Sequence, residues 1–150
     1  MKTIINDDVY IKKGYAISTD PGLLNFAMIF NYLAIESYWA KGIPAEKLKK
    51  AITNSLCFGI YKGAEQIGFA RVVTDQATFA YICDVFILEN YRGEGLSKWL
   101  IQTIKDHSDL QGLRRWLLAT ADAHGLYAQF GFKPVEKTDR WMQIFTPYPH

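Results

Sequence analysis

The chain lacks any apolar run of about 18 residues, the length that a bilayer-spanning helix requires. Its opening stretch, MKTIINDDVYIKK, carries acids at Asp7 and Asp8 and no apolar segment of secretory-signal length, so a cytoplasmic location is expected and a membrane partner is not. Cysteine is scarce. Cys57 and Cys83 both fall inside apolar, strand-like runs, which suits thiols packed as small hydrophobes in a reducing compartment, and no metal is expected. Excess charge is missing too: 17 basic residues against 15 acidic leave a net charge of +2, with no aromatic and basic stripe to mark a nucleic-acid surface. Repeats, low-complexity runs and linkers are absent, and Gly and Pro fall singly between periodic segments. One domain over residues 1–150 is therefore expected, and the 49% hydrophobic content suffices for a core without disulfide staples.

The periodic segments sketch the fold. VYIKKGYAIS reads as a first strand. Asp20 reads as the cap of a helix, PGLLNFAMIFNYLA, with Pro21 in its first turn, and IPAEKLKKAI reads as a second, amphipathic helix. SLCFGIY, QIGFARVV and TFAYICDVFIL form an antiparallel meander joined by short polar turns. From Gly95 onward, Leu96, Trp99, Leu100, Ile101 and Ile104 keep helical spacing. RRWLLAT then reads as a fifth strand, DAHGLYAQF as a short helix closed by Gly131, and FKPVE with RWMQIF as a final strand pair. This order predicts a mixed, mostly antiparallel α/β sheet of six to seven strands with helices on both faces.

Between the meander and the long helix stands NYRGEGLSKWL. A strand, a glycine turn and a helix start aim unpaired backbone N–H groups into one small space, which suits an anion. Gly93 and Gly95 let the backbone approach a phosphate closely, and Arg92 adds a forked cation. The segment lacks the Gly-Lys-Ser/Thr of a P-loop, and Lys98 stands where a dinucleotide fingerprint needs its third glycine. A pyrophosphate other than that of ATP or NAD is the expected ligand.

DVFILENYRGEGLSKWL, with LYAQFGF further on, resembles the GNAT superfamily of N-acetyltransferases. Its signature runs Arg or Gln, two residues, Gly, one residue, then Gly or Ala; Arg92, Gly95 and Ser97 fill those places, with Ser97 as a small departure able to donate to a phosphate. The recognisable motifs cover about residues 55–135. The resemblance implies acetyl-CoA as acetyl donor, with its pyrophosphate on the turn formed by Arg92, Gly93, Glu94, Gly95, Leu96 and Ser97. It also implies a splayed fourth strand with a bulge near Phe86, Ile87 and Leu88, where Ile87 offers its amide to the thioester carbonyl.

The resemblance places Tyr127 beside the coenzyme sulfur as a proton donor. Asp84, on the meander's last strand, has two readings: a base that activates the amine, or an ion-pair partner of Arg71. Alternation puts Asp84 on the same face as Ile82 and Phe86. His124 is another candidate base. Glu36, Tyr38 and Trp39 are the candidate acceptor wall, although Trp39, like Trp116 and Trp141, also suits a core. The acceptor is an unidentified small-molecule or peptide amine, and a homodimer is compatible with the sequence. The rival readings are a catalytically silent acyl-CoA-binding domain and an interaction module.

Overall fold

The computed structural model describes residues 5–149. Strands β1 (Tyr15–Ser18), β2 (Leu56–Lys62), β3 (Glu65–Thr74), β4 (Phe79–Ile87) and β5 (Arg115–Leu118) form one sheet in that order. Pairings among β1 to β4 are antiparallel, while β5 runs parallel to β4. The mixed sheet is as expected, but among the described residues five strands replace the six or seven. Residues 132–136 and 140–145 form no strand. Pro134 offers no ladder donor, and Met142, Ile144 and Phe145 are all exposed, so this stretch has no buried side to alternate against.

The N-terminal third also departs from the expected elements. Residues 9–12 belong to helix α1 (Asp7–Lys12), not to a strand. Asn6 caps it by accepting from the Asp8 amide, and acids in its first turn with Lys12 in its last suit the helix dipole. Asp20 caps only a 3₁₀ turn, Pro21–Leu23, by accepting from the Gly22 amide. Leu24 is then extended, and Asn25 caps a separate helix α2 (Phe26–Asn31) by accepting from the Met28 amide. A second cap inside one apolar run thus divides the expected single helix. A π-helical turn, Tyr32–Glu36, continues from α2 and ends where buried Ser37 donates to the Leu33 carbonyl and accepts from the Ala40 amide. Helix α3 (Ala45–Thr53) follows Pro44 as expected.

Helix α4 (Leu96–Asp106) buries Leu96, Trp99, Leu100, Ile101 and Ile104, each contributing about 1.5–3 kcal/mol of apolar burial. These join Phe58, Ile60, Ala80, Ile82 and Ile87 in one core cluster. Ile29, Leu33 and Leu48 join Cys57, Phe69 and Phe86 in another. Adjacent β2 residues Cys57 and Phe58 thus serve different clusters, as strand alternation requires. In β4 the alternation changes partway: Ile82 and Ile87 share a cluster, whereas Phe86 belongs to the other. Between them lies an inserted residue. Phe69 opposes Phe86 and Arg71 opposes Cys83, so one β3 residue faces two on β4, Asp84 and Val85. No helix among the described residues is long and apolar enough to cross a membrane.

Candidate active site

The bulge lies at Asp84 and Val85, upstream of the expected Phe86 to Leu88. Asp84 adopts φ +57°, a left-handed conformation that aspartate reaches more readily than most non-glycine residues. The bulge also removes Asp84 from the expected plane with both Ile82 and Phe86, since those two now lie in different clusters. Its carboxylate is 8% exposed and accepts from Arg71 Nε at 2.8 Å and from Trp39 Nε1 at 3.0 Å. Arg71 also donates to Ser55 Oγ at 3.1 Å. The ion-pair partner weighed from sequence is therefore present, together with an indole donor.

Flanking this pair, Cys57 and Cys83 stand opposite Arg71 on the adjacent strands. Burial pushes both thiols up to about 12, so they are protonated at neutral pH and pack as hydrophobes.

β4 and β5 part company beyond the Ile82 and Leu118 pair, leaving residues 83–87 of β4 without a β5 neighbour. The Leu88 amide donates to the Ile67 carbonyl at 2.9 Å, and Gly68 opposes Ile87. Because backbone groups alternate sides along an antiparallel strand, Ile87 turns its N–H and C=O away from β3, toward the gap. Arg92 Nε donates to that Ile87 carbonyl at 2.8 Å, and Arg92 Nη2 donates to the Tyr32 hydroxyl at 2.9 Å. The Arg92 amide donates to the Glu89 carbonyl. Arg92 thus fastens the turn to the strand end.

The turn itself is built on two left-handed glycines, Gly93 at φ +88° and Gly95 at φ +82°. A Cβ on Gly93 would meet nothing within 4 Å, so that side of the turn is open. Leu96, Ser97 and Lys98 begin α4, where amides have no carbonyl one turn back to receive them. Ile87, Arg92, Gly93, Ser97 and Lys98, with Leu126, border a cavity of about 220 Å³. A cluster of outward amides around an open glycine fits a pyrophosphate.

Behind the turn, Tyr15 donates to Glu94 Oε2 at 2.6 Å and Tyr10 donates to the Gly95 carbonyl at 3.2 Å. The exposed Glu94 carboxylate is thus held by Tyr15 through Oε2, with Lys13 Nζ 4.0 Å from Oε1. The bond to Glu94, aided by burial, raises the Tyr15 hydroxyl to about 12, which keeps it a donor. The Tyr10 ring stacks on Trp99 with centroids 4.7 Å apart.

Tyr127, on helix α5 (His124–Ala128), is 8% exposed and meets Phe132 edge to face. Burial, then the nearby Tyr38 and Asp122, pushes its hydroxyl up to about 12, so it is protonated at neutral pH. Tyr38 accepts from the Ala121 amide at 3.1 Å and packs edge-on to Trp39, ring centroids 5.0 Å apart. Asp84 is therefore joined through Trp39 to Tyr38, and Tyr38 in turn to the Ala121 amide on the loop before α5. Trp39 is 39% exposed, so it is not the core residue that an apolar tryptophan also suggested. Glu36 and His124 are exposed, and neither joins the Asp84 network. Alongside β5, Tyr127 also borders an open groove of about 1030 Å³, with Trp116, Phe132 and Trp141.

A family model described as the acetyltransferase (GNAT) family matches residues 24–132. This chain belongs to the GNAT acetyltransferase family. A protein of Gibberella zeae named as a candidate acetyltransferase is 32% identical, with 93% of this chain and 90% of that protein covered. The crystal structure of a candidate GNAT acetyltransferase from Xanthomonas campestris pv. campestris is 47% identical, with a TM-score of 0.87 over 89% of this chain and 94% of that one. The fold is shared more widely: a candidate acetyltransferase from Clostridium acetobutylicum, solved with acetyl-CoA, superposes with a TM-score of 0.64 at 11% identity, covering 87% of this chain and 94% of that one.

Within this GNAT chain, one contact residue has no counterpart among the candidates that the sequence offers. Tyr32 stacks on Phe86 at 3.9 Å, tilts against Trp39 and accepts from Arg92, joining Trp39, the strand end and the turn. Nothing local marks it, because its partners Phe86 and Arg92 lie far from it along the chain.

Proposed function

We propose that this GNAT chain transfers the acetyl group of acetyl-CoA directly to a primary amine within a ternary complex. The parting of β4 and β5, with the Ile87 backbone turned into the gap beside the glycine turn, carries this reading. Acetyl-CoA supplies an acyl group as a thioester and a pyrophosphate as an anionic anchor. The amides of Gly93 to Ser97 hold the pyrophosphate, and the Ile87 N–H faces the acyl oxygen as negative charge develops there. Tyr127, protonated, donates to the departing thiolate. Asp84 faces the amine and accepts its proton, directly or through water. Tyr38 and Trp39 present ring faces to the acceptor, and Glu36 at their margin attracts a cation. The same reading places helices on both faces of the sheet, supported by the division of β2 side chains between two clusters.

The test is thiol release from acetyl-CoA with spermidine, phenethylamine, glycinamide and a lysine peptide as probe amines. Amine-dependent release is expected, and Tyr127→Phe should lower kcat by no more than ~10²-fold, the low end for general acids, since a thiolate leaves readily. KM for acetyl-CoA should change little. Coenzyme binding without release on any probe would favour a silent acyl-CoA-binding domain.

A further inference from the structure

We infer that Trp39 is a positioning residue, its indole N–H fixing the orientation and charge of the Asp84 carboxylate against the amine. The inference rests on the proposed role of Asp84. A carboxylate at a bulge has no neighbouring ladder rung to hold its side chain, and a left-handed backbone at φ +57° leaves its direction to whatever grips it. Two groups from separate elements do so. Arg71 on β3 takes Oδ2 at 2.8 Å, and Trp39 after the π turn takes Oδ1 at 3.0 Å.

The two grips do different work. Arg71 is itself anchored on Ser55 and supplies charge from within the sheet. Trp39 is neutral, 39% exposed and in edge contact with Tyr38, so it ties the carboxylate to the wall where an acceptor would lie. Movement of the wall is thereby transmitted to Asp84, which a sheet-borne arginine alone could not do. Indole suits the task because it donates without accepting, and so cannot turn to receive the amine's proton.

A hydrogen bond to an ionised carboxylate favours the charged form, so deleting it raises the pH at which the group protonates. The charged and titratable groups facing Asp84 are Arg71 on β3, Cys57 on β2, and Tyr81 and Cys83 on β4. Burial raises both thiols and the Tyr81 phenol, and Arg71 stays cationic, so none of them changes charge under acidic conditions.

The experiment follows the Asp84 carboxyl ¹³C shift against pH in the full chain and in Trp39→Phe, which keeps a ring at this exposed position while removing the donor. The expected result is a midpoint raised by about one pH unit, the size appropriate to one charge-assisted hydrogen bond. Arg71→Gln should raise it further, because a full charge is removed. A midpoint unchanged in a Trp39→Phe protein that retains the wild-type melting temperature overturns the inference. The titration needs neither coenzyme nor amine, so its failure is separable from failure of the amine-transfer reading, which the thiol-release assay decides.

Discussion

Replacing Gly95 by alanine tests the architecture of the turn with a number attached. Gly95 sits at φ +82°, where a Cβ costs ~1–2 kcal/mol. That Cβ would also lie 2.8 Å from the Tyr10 hydroxyl, the atom that donates to the Gly95 carbonyl. Tyr10 must move away, and a hydrogen bond worth ~0.5–1.5 kcal/mol is lost with it. Together these amount to roughly 1.5–3.5 kcal/mol, or a fall in melting temperature of roughly 5–10 °C for a domain of this size. Gly93→Ala has a similar φ but open space around its Cβ, so it should show only the backbone share, about half that fall. The decisive comparison adds Tyr10→Phe, which removes the hydroxyl and keeps the ring stacked on Trp99. In the native background it should destabilise; combined with Gly95→Ala it should do nothing or relieve the clash. Thermal unfolding followed by circular dichroism gives all four values, with an expected coupling of about 1 kcal/mol. Additivity within ~0.5 kcal/mol would refute the reasoning, because it would mean that the two residues do not meet.

Two further outcomes are expected. Tyr15→Phe removes one of the two groups that hold the Glu94 carboxylate beside the turn, leaving Lys13, and should weaken acetyl-CoA binding by roughly 2- to 10-fold, the equivalent of one hydrogen bond; calorimetric titration showing equal affinity would remove Tyr15 from this role. The Asp75 carboxylate is held below the usual range, first by the Thr78 hydroxyl and then by the amides of Thr78, Ala77 and Phe79, so its contribution to stability is present above the unfolded value of about 3.9 and lost as pH falls. The gap in melting temperature between wild type and Asp75→Ala should therefore narrow below about pH 4, and a gap constant from pH 7 to 2 would count against it.

The meander, α4 and the glycine turn are legible in the sequence because each rests on local chemistry. Alternating apolar residues, helical spacing from Leu96 to Ile104 and paired glycines carry their meaning within a dozen residues. The hidden features depend on partners distant in sequence. Nothing near Arg92 shows that its guanidinium turns to Ile87 and Tyr32, and nothing near Trp39 shows that its indole reaches Asp84. The first strand reads too long because Val9, Tyr10 and Ile11 are all strand-favouring residue types, and the Asn6 cap with two following acids outweighs that preference. The expected last strand pair rests on composition alone, since the apolar residues of RWMQIF stay in the open. The bulge lies two residues before its expected place because an aspartate occupies the left-handed conformation that glycine would have advertised.

That extra residue makes β4 a strand with two phases. Up to Cys83 the side chains keep one assignment of inside and outside; from Phe86 onward the assignment is inverted, and Ile87 is aimed by the second phase. Changing a residue within residues 83–87 alters one side chain, whereas removing one rotates everything downstream by half a pleat, carrying the Ile87 backbone toward β3 and Phe86 toward the wrong core. The segment should tolerate exchange of its letters far better than any change in their number. Grafting this strand end between relatives therefore succeeds or fails on its count before its composition matters.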